Sequence, residues 1–340
     1  MRVTRETLIR LAKETTQTRA FNDKDIIAAY LIGSLLTSDP FLGGVTDIDL
    51  VFVTAGNPKR SREIVKLTGD FHVDITYHAR AEFTPVRELR VNPWLGPEIY
   101  APQLLYEREK FFDFVQAAVR GGFEFHGPAL TLQRCRTLLS HGRGVWTDLL
   151  SVEKTGPAEV AHYLKSVYHA ACAVGELNEG NPLSERRLLL DFPGRAARAN
   201  RPDMSAALLG LLGGPNLADG IPAEWLPAWQ NEFTFAAETG KADPRINTAR
   251  IAYYRKSFEA MNESDNGLAA LWPLIHTWTL SATALPEEKT KGWQAACDEL
   301  GLSGVGFGEK VEALDAFLDE VEILLDEIAS ANGLETSTSL

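Results

Sequence analysis

Two hydrophobic patterns divide this chain. In roughly the first third, apolar residues come in short runs bounded by turn formers. From Phe111 onward they recur at three- and four-residue steps. Short runs rich in β-branched and aromatic residues predict strands, and the longer spacing predicts helices. Ile26 to Gly33, Ile48 to Val53 and Phe71 to Tyr77 are the three strand-like runs. Ahead of them, Leu8, Leu11 and Ala12 give a helical stripe from Thr4 to about Arg19, with Thr4 as N-cap. Pro58 suits the first turn of a helix running to Leu67, through Ile64 and Val65, ended by Gly69.

Residues 84–109 fit neither period. Pro93, Pro97 and Pro102, interleaved with Trp94, Tyr100 and Tyr106, predict an ordered, aromatic-rich connection. Helices are then expected over Phe111–Arg120, stopped by Gly121-Gly122, over Pro128–His141, and over Pro157–Asn178. A loop at Asn178–Pro182 precedes a helix from Ser184 that Pro193-Gly194 interrupts. Met204–Leu212, Pro222–Ala237, Pro244–Met261, Leu268–Ala282 and Glu287–Leu300 are further helical segments. The last, Gly308–Ala329, is the most regular. Val311, Leu314, Leu318, Val321, Leu325 and Ile328 follow a heptad, widened by Phe317 and Leu324. A stripe that wide suits packing inside its own bundle, and three heptads also suit a homodimer seam.

These elements predict an α+β chain in two domains. Residues 1–110 form a small mixed β-sheet with flanking helices. Residues 111–332 form a mainly α-helical bundle that closes over a cleft. Residues 333–340 make a disordered tail.

Composition narrows the function classes. Hydrophobic content of 45% and charged content of 24% are ordinary for a soluble protein. No run approaches the length of a membrane span, and the N-terminus lacks an apolar signal core, so a cytoplasmic protein is expected. Three scattered Cys fit a reducing compartment. A net charge of −12 disfavours a grip on long nucleic acid, whose affinity comes from neutralising phosphates. A small or cationic acceptor suits that balance better.

The densest chemistry lies between the first two strand-like runs. Gly33-Ser34 leaves the first, and its backbone N–H groups and hydroxyl can meet an anion. Asp47 and Asp49 are two residues apart in the second, so their carboxylates share a face. Two such charges cost about 4 kcal/mol at ~4 Å and an effective dielectric near 20. A divalent cation removes that penalty, and Mg²⁺ takes carboxylate oxygens. Asp74, among apolar neighbours in the third run, can join them if its strand pairs beside theirs. Three acids around two metal ions suit in-line phosphoryl or nucleotidyl transfer.

Gly33-Ser34, twelve intervening residues, Asp47-x-Asp49 and a hydrophobic-Asp74-hydrophobic strand resemble the nucleotidyltransferase superfamily typified by DNA polymerase beta. The resemblance covers about residues 20–80 and points to the small-molecule branch that includes kanamycin nucleotidyltransferase and the minimal nucleotidyltransferases. It implies transfer of a nucleoside monophosphate, with ATP the expected donor among NTPs, to a hydroxyl of a small-molecule acceptor, releasing pyrophosphate. It implies Asp47, Asp49 and Asp74 as catalytic residues and as ligands of two Mg²⁺, with Gly33 and Ser34 holding the β- and γ-phosphates. Asp74 or another acid takes the hydroxyl proton. Lys165, on the strong helix, matches the helical-domain lysine that reaches the triphosphate in relatives; most lysines at such positions are simply solvated. Two readings from other classes stand beside this one: a nucleotide-binding or antitoxin-like partner protein without turnover, and transfer to a protein acceptor.

Arg186, Arg187, Arg195, Arg198 and Arg201 form the densest basic stretch of an acidic chain. Such arginines bind phosphate bidentately or pair with nearby acids. His72 and His78 flank the Asp74 run and can contact substrate, although satisfied structural histidine is the commoner case.

Overall fold

The computed structural model describes residues 3–125, 127–177, 183–217 and 220–336. It is an α+β protein with a five-stranded mixed sheet and a helical region, in two units. The first comprises Met1–Gly127 with Ala249–Ser257, and the second Pro128–Thr248 with Phe258–Leu340.

The first unit opens with α1 (Arg5–Asn22), whose N-cap Thr4 accepts from the Thr7 N–H. β1 (Ile26–Ile32), β2 (Ile48–Thr54), β3 (Arg62–Lys66) and β4 (His72–Ala79) follow. Short helices α2 (Val86–Leu89) and α3 (Leu95–Tyr100) lead to β5 (Gln103–Glu107) and α4 (Phe111–Phe125). The strand order is β3-β4-β2-β1-β5, with β2 and β4 parallel and the other neighbours antiparallel. One face packs Leu31, Leu50, Phe52, Val73 and Ile75 against α1 through Leu8 and Ala12. The other packs Tyr30, Val51 and Val53 against Phe83, Phe112 and Val115. Both faces are covered, so β1 and β2 are buried almost along their whole length instead of alternating between core and solvent.

Three elements here differ from the pattern-based expectation. Pro58 does not start a helix; Arg62–Lys66 is the edge strand β3. The spacing of Glu63 and Val65 against Arg62 and Ile64 is two, not three or four. Glu63 takes the α1 side, where Arg19 grips it bidentately at 2.8 and 3.0 Å, while Arg62 takes the other. The unassigned stretch at 84–109 holds a strand, β5, whose ladder to β1 is irregular at Ala29/Tyr30. Gly121-Gly122 does not end α4, which runs to Phe125.

The second unit is helical: α5 (Gly127–Leu149), α6 (Pro157–Glu176), α7 (Leu188–Arg198), α8 (Met204–Leu211), α9 (Trp225–Glu238), α10 (Ile251–Asn262), α11 (Leu271–Ala282), α12 (Lys291–Leu300) and α13 (Gly306–Ala331). Gly127 of α5 and residues 251–257 of α10 cluster with the first unit. Pro193 lies inside α7 without breaking it. The expected loop at Asn178–Pro182 falls outside the described residues, as do the last four residues of the tail. Trp229, Trp278 and Trp293 are fully buried, and each indole N–H finds an acceptor: Thr277, Glu232 and Thr279. The heptad stripe of α13 is buried within this unit, at Leu314, Leu318, Val321 and Leu325. No helix among the described residues is long and apolar enough to cross a membrane.

Candidate functional site

The site begins where β1 ends. Gly33 has φ +78°, and a Cβ there would lie 2.2 Å from Asp49 Oδ2. Only glycine allows the carboxylate of β2 to come this close to the turn. Ser34 follows in a single 3-10 turn, Ser34–Leu36, and its hydroxyl shares a hydrogen bond of 2.7 Å with buried Thr46. The chain returns through Gly43-Gly44, both at positive φ, in a tight bend closed by a Leu42–Val45 bridge. Gly43 has no room for a side chain either. A Cβ there would sit 2.1 Å from Lys256 O, so the bend rests on the returning segment Ala249–Ser257.

Parallel pairing of β2 with β4 then sets the acids side by side. Asp49 is opposite Asp74, and Ile48 opposite Val73. The same register, carried back one step, brings Asp47 to His72, and their Oδ2 and Nε2 lie 3.9 Å apart. Asp47, His72 and Asp74 each offer a ligand atom, all within 4.8 Å of one another. Asp47, His72 and Asp74 are buried, while Asp49 is partly exposed beside exposed Gly33. The three acids therefore share one side of the sheet, with an accessible edge at Gly33, Ser34 and Asp49.

Two arginines enter this cluster. From β3, Arg62 Nε donates to Asp74 Oδ1 at 2.7 Å, and Nη2 to Oδ2 at 2.6 Å. From the returning segment, Arg250 Nη1 lies 3.3 Å from Asp74 Oδ2, and Nη2 lies 3.6 Å from Asp47 Oδ2. Tyr253 and Tyr254 rings flank the Arg250 guanidinium at 5.3 and 5.1 Å. Three carboxylates thus face two guanidiniums. The surplus falls on Asp49. Burial, then Asp47, then Asp74 push its carboxyl well above the usual range, with Arg250 and Arg62 pulling the other way. Asp74 goes the opposite way. Burial alone would raise it, but the Arg62 hydrogen bonds, with the charges of Arg250, Arg62 and His72, hold it below its ordinary value.

The donor set fits a divalent ion: two carboxylates and an imidazole, buried and convergent. It differs in one ligand from the three-acid expectation. His72 joins Asp47 and Asp74 in the converging group, whereas Asp49 turns an oxygen toward Gly33. Arg250 was not among the expected site residues, and His72 was expected as a substrate contact or a structural histidine, not as a metal ligand. His72 had a readable signal, since His72-x-Asp74 repeats the two-residue spacing of Asp47-x-Asp49. Arg250 had none nearby in sequence.

Lys165 is exposed on α6, in the second unit. The basic stretch after it is largely absorbed by its own surroundings. Arg186 and Arg195 are buried, Arg195 donates to Gly175 O at 2.9 Å, Arg187 faces Asp191, and Arg201 meets Glu327. The chain matches no protein-family model and no curated protein.

Proposed function

We propose that this chain is a divalent-metal-dependent nucleotidyltransferase that moves a nucleoside monophosphate from an NTP to a hydroxyl of a small-molecule acceptor. The observation that carries this reading is the β2–β4 register, which sets Asp49 beside Asp74 and Asp47 beside His72 at an open glycine turn. Asp47 and Asp74, with His72 or Asp49, would hold the metal. When bound, a divalent ion supplies charge neutralisation at the phosphates and at the attacking oxygen. The turn at Gly33-Ser34 offers backbone N–H groups and a hydroxyl for the phosphate tail, a few ångströms from Asp49. The acceptor oxygen attacks the α-phosphorus, pyrophosphate departs, and the hydroxyl proton passes to a carboxylate of the cluster. Positioning and electrostatics carry such a transfer; no covalent nucleophile is required. ATP as donor and Mg²⁺ as the ion belong to the same proposal.

One observation favours a second reading. Arg62 and Arg250 already neutralise much of Asp47 and Asp74, as they would in a nucleotide-binding partner protein that does not turn over. Incubation with α-labelled NTPs, Mg²⁺ or Mn²⁺ and a panel of hydroxylated small molecules separates the two. Transfer of label to a small molecule, with pyrophosphate released and both lost in Asp47→Ala and Asp49→Ala, supports the enzyme. Tight NTP binding without transfer supports the second reading. Label on a protein would move the acceptor class.

A further inference from the structure

Arg62 and Arg250 both face Asp74, but they hold it differently. Arg62 makes two short, parallel hydrogen bonds, one to each carboxylate oxygen. A carboxylate oxygen has two acceptor directions, so Arg62 leaves one free on each. Arg250 Nη1 lies 3.3 Å from Oδ2 without hydrogen-bonding to it, and Nη2 lies 3.6 Å from Asp47 Oδ2. Charge-assisted hydrogen bonds run at about 2.7–2.9 Å, and neither Nε nor Nη1 of Arg250 is hydrogen-bonded among the described residues. The side chain is nonetheless only 6% exposed. It is a buried cation held by charge and by two aromatic faces rather than by directed bonds.

Its position is also telling. The guanidinium bridges two of the three groups that converge for a metal, Asp47 and Asp74. Resting on the metal-binding reading above, we propose that Arg250 is the cluster's resident counter-cation, and that Arg250 and a divalent ion replace each other on Asp47 and Asp74. Charge counting points the same way. One divalent ion in place of Arg250 balances the three carboxylates together with Arg62. With Arg250 kept in place, the cluster would carry surplus positive charge. Arg62 need not move, because its two hydrogen bonds leave each Asp74 oxygen one further acceptor site. Displaced from the carboxylates, the guanidinium still has the Tyr253 and Tyr254 rings to rest on. The apo site is thereby kept from collapsing by its own repulsion, and divalent affinity is set by how readily one arginine yields.

The test is titration of Mn²⁺ into the metal-free full chain, followed by calorimetry, for wild type, Arg250→Gln and Arg250→Lys. The Gln variant is expected to bind Mn²⁺ about tenfold or more tightly than wild type, the scale set by losing a buried charge competitor. The Lys variant, whose ammonium cannot span both carboxylates, falls between. Without metal the Gln variant melts below wild type, and Mn²⁺ restores it. In wild type, Mg²⁺ shifts the Arg250 side-chain ¹⁵Nε resonance, a readout that needs no variant. Equal or weaker Mn²⁺ binding in a folded variant, or an Arg250 resonance unmoved while Mg²⁺ binds, overturns the exchange and leaves the metal site standing. Absence of divalent binding in every protein removes the exchange and the metal reading together.

Discussion

Arg134 with Glu176 in the helical unit, and Arg62 with Asp74 in the sheet unit, are both arginine–carboxylate pairs at hydrogen-bond distance in which the carboxylate is buried. Their surroundings differ. Arg134 Nε donates to Glu176 Oε1 at 3.0 Å, a second Arg134 nitrogen donates to Thr131, and the charge of Arg195 also acts on Glu176, so a single acid sits among bases deep in the helices. Asp74 is one of three acids, and another of them, Asp49, reaches the surface beside an exposed glycine turn. A closed site with no surplus acid is structural. Surplus acid at an opening is a demand for another cation, which is what separates a candidate metal centre from a buried salt bridge.

The comparison can be strained from its structural side first. Arg134→Ala strands a buried carboxylate and is expected to lower unfolding free energy by about 3–5 kcal/mol in urea titration. Nucleotide binding by the protein that remains folded stays unchanged. Replacing Arg134 with no loss of stability would erase the distinction.

Acid should reach the helical unit through its histidines. Burial, with the charges of Lys165 and His141, depresses His169 to about 4. His276 is depressed to about 4 by burial. An unfolded histidine titrates near ~6.5. The unfolded chain therefore binds more protons between these values, and stability is complete above about 6.5 and falls as pH drops toward about 4. His169 alone contributes roughly 3 kcal/mol to that loss. Chemical denaturation at stepped pH should show this slope, and His169→Gln should flatten it.

At the open site, the effects on stability are smaller and those on function larger. Gly33→Ala forces a side chain into positive φ and against Asp49 Oδ2, and should cost about 1–3 kcal/mol with loss of nucleotide binding. Asp49→Asn removes the least compensated charge. It should stabilise the metal-free protein by about 1 kcal/mol, a modest gain because the partly exposed group is screened by solvent. The same variant should abolish transfer. A stabilising change that removes activity is the signature expected of a site that bears strain for function.

Much of this site was legible because it obeys a period of two. Asp47, Asp49 and Asp74 lie on short apolar runs, and the sheet needed only to set those runs side by side. Gly33-Ser34 was legible as a turn for the same reason. β3 was misread because Ile64, Val65 and Leu67 satisfy a helical spacing as well as a strand, and pairing with β4 decided between them. That error hid Arg62, whose side chain reaches Asp74 only from a strand. β5 was hidden by flanking proline and aromatic residues. His72 was discounted one residue pair away from Asp74. Arg250 arrives from a segment distant in the chain, where nothing local marks it as belonging to the sheet unit.

The most direct test is a crystal grown with Mn²⁺ and a non-hydrolysable NTP, read at the manganese absorption edge. An anomalous peak within about 2.0–2.6 Å of Asp47 and Asp74 oxygens, with the phosphate tail over Gly33-Ser34, is the expected result. Well-ordered nucleotide elsewhere, with no peak between Asp47 and Asp74 and Arg250 still across them, would contradict it.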